Sequence, residues 1–253
     1  MRILHPSLLI AALGVAALPR PMPAQAARLP DGRAVIDRFI AAIGGRDAIL
    51  KHQARHFKGR LESPAQGIVG EFDLYQAAPN RMLTTATFPG LGTVREGYDG
   101  SVAWSTNPAT GPMVLDGRAL DQRRHGADFY IALYPPEMIA GLETVGEEPF
   151  EGTPAYKVRV KTTWGEEYFE FFDQATGLQL GSVRALSTPL GEIEATSVIS
   201  DWRPVEGVRM PFRLVQRVAT IEAVITFSEL SLAAIPDSVF ALPPEIQALV
   251  GKD

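Results

Sequence analysis

From residue 56 onward, apolar and polar residues alternate along most of the chain, the pattern of strands that bury one face and expose the other. The alternating segments are separated by short turns rich in Gly, Pro, Asn and Asp, of which Asp99-Gly100 is the strongest hairpin signal. About ten or eleven such strands can be counted, and their short connections favour antiparallel pairing. The pattern therefore predicts a mainly β (α+β) fold with a single large curled antiparallel sheet.

Two stretches depart from this alternation and indicate helices. Between Asp31, the predicted N-cap, and Gly44-Gly45, apolar residues recur at helical spacing, and a short helical turn follows at 47–51. The segment 116–133 lacks alternation and ends before Pro135-Pro136, so we expect a second helix there. We expect these helices on the concave face of the curled sheet.

The segment Thr153–Gly181 contains the clearest hairpin, with Trp164-Gly165 predicted as a two-residue loop. This loop implies the pairs Val160–Phe169 and Val158–Phe171 on an apolar face, and Arg159–Glu170 and Lys161–Tyr168 on a charged one. A one-residue shift in register would exchange the faces of one strand relative to the other.

The apolar residues predicted to point to the concave face are the candidate ligand-binding residues. They are Phe57, Leu61, Phe72, Leu74, Val158, Val160, Phe169, Phe171, Phe212, Leu214, Ile225 and Phe227. They either form a closed core under the helices or line an apolar cavity that a wide sheet with few helices leaves unfilled. The alternation does not decide between these two.

The first 26 residues differ in character from the rest. Arg2 precedes an apolar run of 11 residues, Leu8–Leu18, and Ala24-Gln25-Ala26 has the small-x-small pattern of a cleavage site. The run is too short for a membrane span, so residues 1–26 are predicted to be a secretory signal peptide and residues 27–253 a single domain. Loss of two Arg with this segment changes the net charge from −5 to −7, which disfavours nucleic acid as a partner.

No residue pattern predicts catalysis, a cofactor or a metal. His52 and His56 have the spacing of a zinc-protease helix, but Gln53 stands where the catalytic Glu is required, so we interpret them as surface histidines. His125 lies in a charged stretch and is expected on the exposed side of its helix. The chain has no Cys, which excludes disulfides, a thiolate nucleophile and a lipid anchor on an N-terminal Cys.

Three motifs give the chain a recognisable character. Gly70–Tyr75 leads into Pro79-Asn80; Tyr98–Trp104 is a DGxxxW-type hairpin closed by Asn107-Pro108; and Phe240–Pro244 is an aromatic-to-Pro-Pro ending. In this order, over residues 31–245, they resemble the periplasmic outer-membrane lipoprotein carrier family, the LolA-like proteins. The resemblance implies an open half-barrel whose concave apolar face, covered by helices, takes up acyl chains.

The resemblance also implies a function and a location. The protein is expected to be a periplasmic carrier without enzymatic activity, with an acyl chain or other apolar ligand, lipoproteins and envelope proteins as its partners. The carriers place an Arg that latches the helical lid directly before the Pro of the Pro-Asn turn, whereas this chain has Ala78. The alternative is a non-enzymatic envelope sensor or protein-interaction scaffold with a filled core.

Overall fold

In the computed structural model, which describes residues 28–188 and 191–251, thirteen strands form one open antiparallel sheet. The strands are β1 Ala54–Ser63, β2 Ile68–Ala77, β3 Arg81–Phe88, β4 Gly92–Tyr98, β5 Ala103–Asn107, β6 Gly111–Leu115, β7 Ile139–Phe150, β8 Thr153–Thr162, β9 Glu167–Asp173, β10 Gln179–Thr188, β11 Gly191–Val205, β12 Val208–Val218 and β13 Ile221–Ser231. The predicted fold class, a mainly β half-barrel, is confirmed. The signal peptide predicted at residues 1–26 lies outside the described residues.

The sheet consists of two meanders that meet at its centre. Its strand order is β6-β5-β4-β3-β2-β1-β13-β12-β11-β10-β9-β8-β7, so the first and last strands pair and β6 and β7 form the edges. At the central pair the backbones approach closely: a Cβ on Gly59 would lie 2.3 Å from the carbonyl oxygen of Thr226. Only glycine fits there without a shift of one strand.

Thirteen strands exceed the ten or eleven expected. The edge strand β6 in particular has no clear alternation and contains Pro112, which a sequence pattern would not assign to a strand. Pro112 pairs with Thr106 of β5 at the sheet edge, where a residue without a backbone N–H is tolerated.

Within the described residues four α-helices accompany the sheet: α1 Gly32–Ala42, α2 Arg46–Leu50, α3 Gly117–Ala127 and α4 Pro244–Val250. Short 3-10 turns lie at Pro64–Gln66, Ile131–Leu133 and Asp237–Phe240. Asp31 caps α1 as predicted, accepting a hydrogen bond of 2.8 Å from the backbone N–H of Arg33. No helix within 28–188 or 191–251 combines the length and the apolar character that a bilayer span requires.

We call the side of the sheet covered by α1, α2 and α3 the inner face. There α1 buries Ile36 and Phe39 against Val158 and Phe172, and α3 packs Ala127 against the half formed by β2–β6. The C-terminal helix α4 lies on the opposite, outer face, where the fully buried Ile246 packs with Trp104 and Phe240.

The register of the β8–β9 hairpin differs by one residue from the predicted one. Thr162 and Glu166 form the last backbone-bonded pair, so the loop is the three residues Thr163–Gly165 instead of two. The observed pairs are Val160–Tyr168, Val158–Glu170, Arg159–Phe169 and Lys157–Phe171. The prediction of Val160 opposite Phe169, and of Arg159 opposite Glu170, was therefore wrong.

Candidate ligand-binding site

Ten of the twelve predicted site residues lie on the inner face, where they pack in two clusters. Eight form one packed cluster: Phe57, Leu61, Phe72, Leu74, Phe212, Leu214, Ile225 and Phe227. Within it the rings of Phe57 and Phe227 are 4.7 Å apart, whereas Leu61, Phe72, Leu74 and Leu214 are only half-buried. Val158 and Val160 are fully buried under α1. The middle of the inner face is thus filled by its own side chains.

Phe169 and Phe171 lie on the outer face, contrary to the prediction. The one-residue change in the hairpin register turns them away from Val158 and Val160. Phe171 stacks on Phe150 at 4.2 Å, and the ammonium of Lys157 lies 4.6 Å from the ring centre of Phe169. These two aromatic residues therefore cannot line an inner-face cavity.

A cavity of about 210 Å³ does exist on the inner face, further toward α1 and α2. We call it the apolar cavity; its lining residues are Phe39, Ile43, Ile49, His52, Arg55, Phe129, Ala132, Gln179, Ile199, Trp202, Val208, Arg209, Met210 and Pro211. Ten of these fourteen residues are apolar. None of the twelve predicted residues is among them.

The helices over this cavity are fixed to the β11–β12 turn. The backbone N–H of Arg209 donates to the carbonyl of Ile43 at 2.9 Å, and the His52 ring lies 3.1 Å from the carbonyl of Glu206. Gly44 fits against the backbone there, since a Cβ on it would lie 2.5 Å from the carbonyl oxygen of Gly207. These contacts hold α1 and α2 over the sheet at one end, and the apolar cavity lies beneath them.

Two arginines, Arg55 and Arg209, line the apolar cavity, and Arg55 on β1 is held by the sheet and by the segment after α3. Its Nε donates to Gln76 Oε1 at 2.7 Å, and its guanidinium carbon lies 4.8 Å from the ring centre of Phe129. Burial lowers the pKa of Arg55 to about 10, and the nearby Asp128 opposes that change. The segment 128–132 therefore closes the cavity through an aromatic and electrostatic contact with the sheet.

A second space of about 150 Å³ adjoins the apolar cavity and has a larger share of polar side chains in its lining. We call it the polar chamber; it is lined by Phe39, His125, Gly126, Ile131, Ala132, Tyr134, Ile139, Tyr168, Glu170 and Gln179. Phe39, Ala132 and Gln179 line both spaces, so these side chains form the boundary between them.

The polar side chains of the chamber are hydrogen-bonded in pairs. The Tyr134 hydroxyl donates to Glu170 Oε2, and the Tyr168 hydroxyl lies 3.2 Å from His125 Nε2. The Arg184 guanidinium covers the Tyr168 ring, with its carbon 4.0 Å from the ring centre. Burial raises the pKa of Glu170 and lowers the pKa of His125 to about 3, the latter with a further contribution from Arg184.

His125 is buried, so the prediction that it lies on the exposed side of its helix was wrong. It packs against Trp164 in the β8–β9 loop and against Tyr168 of β9. Gln122, one turn earlier on α3, also faces the sheet and donates to the Ala185 carbonyl at 2.8 Å. The spacing of these two residues was the available signal, but the charged residues around them concealed it.

His52 and His56 do not form a common site. His52 lies at the apolar cavity, whereas His56 stacks on Tyr75 and contacts Asp73 at 2.7 Å on the outer face. Both are half-buried instead of solvated. Throughout 28–188 and 191–251, no three His, Asp or Glu side chains are grouped in a way that could hold a metal ion.

Comparisons with known proteins place the fold. No protein-family model matches the chain, and no curated protein matches it. Among solved structures it is similar to a LolA superfamily protein from Nitrosomonas europaea, with 13% identity, a TM-score of 0.56, and coverage of 85% of this chain and 99% of that one. A DUF1329 family protein from Desulfovibrio piger gives 13% identity, a TM-score of 0.56, and coverage of 84% and 98%.

A putative outer membrane lipoprotein-sorting protein domain from Vibrio parahaemolyticus matches with 12% identity and a TM-score of 0.52, covering 83% of this chain and 95% of that one. At such identities the similarity concerns the fold, and the match extends over nearly the full length of all three structures. The open thirteen-stranded sheet and its inner-face helices are therefore those of the LolA-like fold.

Proposed function

We propose that this protein is an exported, periplasmic binding protein of the carrier type, which holds the acyl chain of a lipid or lipoprotein in the apolar cavity. The observation that carries the proposal is this cavity of about 210 Å³ between α1, α2 and strands β10–β12, lined mainly by apolar side chains. An apolar cavity of about 150 Å³ is enough to stay dry and bind benzene. A larger one accommodates a segment of an acyl chain.

The rest of a bound chain has a continuous path along the inner face. Met210 lines the apolar cavity and also packs against the cluster around Phe57. From there the half-buried Leu214, Leu61 and Phe72 present apolar surface that the helices do not cover. In this proposal these predicted residues form an uncovered apolar surface that contacts the rest of the bound chain.

Two further observations support export and lipid binding. Residues 1–26 have the sequence character of a signal peptide, and the similar structures include a protein described as a lipoprotein-sorting domain. A second candidate is a protein-interaction scaffold on the same half-barrel. It is favoured by the packing of Phe57, Phe212, Ile225 and Phe227, which fills the middle of the inner face.

Filling the apolar cavity tests the proposal. Ala132 lies at its boundary, and Ala132→Phe is expected to weaken the binding of a fluorescent fatty-acyl probe at least about tenfold while leaving the stability of the free protein nearly unchanged, because the ring enters unfilled space. Titration of probe fluorescence measures this.

The matched control is Ala41→Phe, the same substitution at an exposed position of α1, which should bind the probe like the wild type. If the probe does not bind to the wild type, or if Ala132→Phe costs about 1–3 kcal/mol by overpacking, the inner face is a closed core and the scaffold candidate is favoured.

A further inference from the structure

Unpartnered polar atoms are concentrated where α3 meets the β8–β9 hairpin. In the part of the chain that the structure describes, seven buried side-chain nitrogen or oxygen atoms lack a hydrogen-bond partner. Four of the seven are His125 Nδ1, Trp164 Nε1, Glu166 Oε2 and Arg184 Nε. An enclosed polar atom without a partner costs free energy, and native proteins rarely leave several of them together.

Contact distances show that these four side chains form one group. The His125 and Trp164 rings are 5.2 Å apart, and His125 reaches Tyr168, which lies beneath the Arg184 guanidinium. Glu166 is tied to the same helix through Gln122, whose Nε2 donates to Glu166 Oε1 at 3.0 Å. The group borders the polar chamber, which His125 and Tyr168 line.

Most of the unpartnered atoms are hydrogen-bond donors. The indole nitrogen of Trp164 and Nε of Arg184 can only donate. Arg184 donates a hydrogen bond to Tyr168, so we assign the Tyr168 hydroxyl as the donor to His125 Nε2, which lies 3.2 Å away. A neutral imidazole that accepts at Nε2 carries its proton at Nδ1, so His125 adds a third unpaired donor, and Glu166 Oε2 is the one acceptor.

The charges around the group disfavour an anionic head group. The carboxyl groups of Glu166 and Glu170 are both buried, and the charge of Arg184, which lies over the Tyr168 ring, acts on Glu170. A carboxylate or phosphate here would place further acceptor oxygens beside Glu166 Oε2, which already lacks a donor, in a poorly solvated space where such repulsion is strong. Three donors and one acceptor instead suit an uncharged group with carbonyl and hydroxyl oxygens.

We propose that the space between α3 and the β8–β9 hairpin receives the uncharged, oxygen-bearing head group of an acylglycerol-type lipid whose chain occupies the apolar cavity. This inference rests on the proposed function, because it specifies the ligand class of the same site. Phe39, Ala132 and Gln179 separate the two spaces, so a single ligand passes between these side chains. The four atoms are enclosed, so the head group enters when α3 shifts away from the hairpin.

The experiment compares Trp164→Phe with Trp104→Phe. Both substitutions remove an unpartnered indole N–H and keep a large ring, but Trp104 lies on the outer face, far from the chamber in the sheet order. Monomyristin, myristate, tetradecyltrimethylammonium and tetradecane are each used to displace a bound apolar fluorophore. In the wild type, monomyristin is expected to bind about tenfold more tightly than the other three, which is the effect of one or two hydrogen bonds.

Trp164→Phe should reduce this preference several-fold, whereas the free protein should melt at the same or a higher temperature, because an unpaired donor has been removed. Trp104→Phe should retain the preference. A second measurement does not depend on a variant: in the nitrogen-15 NMR spectrum of the wild type, the Trp164 indole resonance should shift with monomyristin and not with tetradecane.

Three outcomes would overturn the inference alone: equal displacement by all four compounds, tighter binding of myristate or of the cation, or an unchanged preference in Trp164→Phe. Equal displacement would mean that the chamber is filled by water. A fluorophore that does not bind at all would instead overturn the proposed function, and this inference with it.

Discussion

Two buried ionisable residues, His125 and Glu170, face the same chamber and respond to pH in opposite directions. The pKa of His125 is lowered to about 3, so the folded protein holds a neutral imidazole that the unfolded chain would protonate below about pH 6.5. The pKa of Glu170 is raised by burial, so the folded protein retains a proton that the unfolded chain releases above about pH 4.5. Lowering the pH therefore destabilises the folded state through His125, and raising the pH destabilises it through Glu170.

At the residue scale we predict that His125 causes acid sensitivity. Between pH 6.5 and pH 3 the unfolded state binds a proton that the folded state excludes. The free energy of unfolding should therefore fall by up to about 1.4 kcal/mol for each unit by which the pH is lowered. His125→Gln removes this contribution, and the Gln side chain still reaches toward Tyr168. Urea unfolding at several pH values measures the slope.

The quantity to compare is the slope of the unfolding free energy against pH. The difference in this slope between variant and wild type largely cancels the contribution of Glu170. His52→Gln is the matched control, since it removes an imidazole outside the chamber. A wild-type slope in His125→Gln would mean that the imidazole is protonated in the folded protein.

At the scale of elements, the β8–β9 hairpin shows that two strands can be predicted correctly while the register between them is predicted wrongly. The alternation located both strands, but it could not distinguish a two-residue loop at Trp164-Gly165 from the observed three-residue loop. Gly165 adopts a positive φ of 88°, and glycine suits two-residue and three-residue hairpin loops alike, so it gave no information on loop length. The choice was decided by packing, because Tyr168 and Phe172 belong to the core under α1.

The observed register predicts which cysteine pair can form a disulfide in this cysteine-free chain. Lys161 and Glu167 are exposed and lie directly opposite each other. Because they neighbour the backbone-bonded pair Thr162–Glu166, they form a non-hydrogen-bonded pair, the type in which opposite Cα atoms approach most closely. Lys161→Cys with Glu167→Cys should therefore oxidise spontaneously, as mass spectrometry would show.

Arg159→Cys with Glu167→Cys is the control, because these positions share the outer face but are diagonal, with Cα atoms too far apart for an unstrained disulfide. Efficient oxidation of the diagonal pair and none of the direct pair would contradict the register.

The C-terminal helix α4 is short, yet it buries a core residue of the outer face. Ile246 is fully buried against Trp104, Ala77 and Leu83, whereas Leu249 on the same helix is 36% exposed. We expect Ile246→Ala to cost about 2–5 kcal/mol and Leu249→Ala about 0.5 kcal/mol. Chemical denaturation measures both, and similar midpoints would mean that α4 is not docked on the sheet.

At the scale of the whole molecule, the sequence predicted the sheet and its class but not the cavity. Period-two alternation is a local property, so it identified β1, β2 and β12 and placed Phe57, Phe72 and Phe212 on one face. The apolar cavity instead lies between distant parts of the chain: Phe39 on α1, Ala132 after α3 and Trp202 on β11. How far a helix stands from a sheet depends on tertiary contacts such as that of Arg209 with Ile43, which no periodicity encodes.

The same reasoning explains the residues of the polar chamber. His125 sits among charged residues of α3, and Glu170 sits among the aromatic residues of β9, so neither sequence context indicates a buried polar group. Their burial follows from the docking of α3 on the hairpin, where Gln122, His125 and Trp164 meet. The sheet could be predicted from the sequence. The polar chamber could not, because it is formed by the contact between α3 and the hairpin.

The central claim is that one acyl chain occupies the apolar cavity, and native mass spectrometry with added monomyristin tests it most directly. The account predicts one bound lipid per protein in the wild type and in Ala41→Phe, and a strongly reduced bound fraction in Ala132→Phe at the same lipid concentration. Unliganded protein throughout, or the same bound fraction in all three proteins, would contradict it.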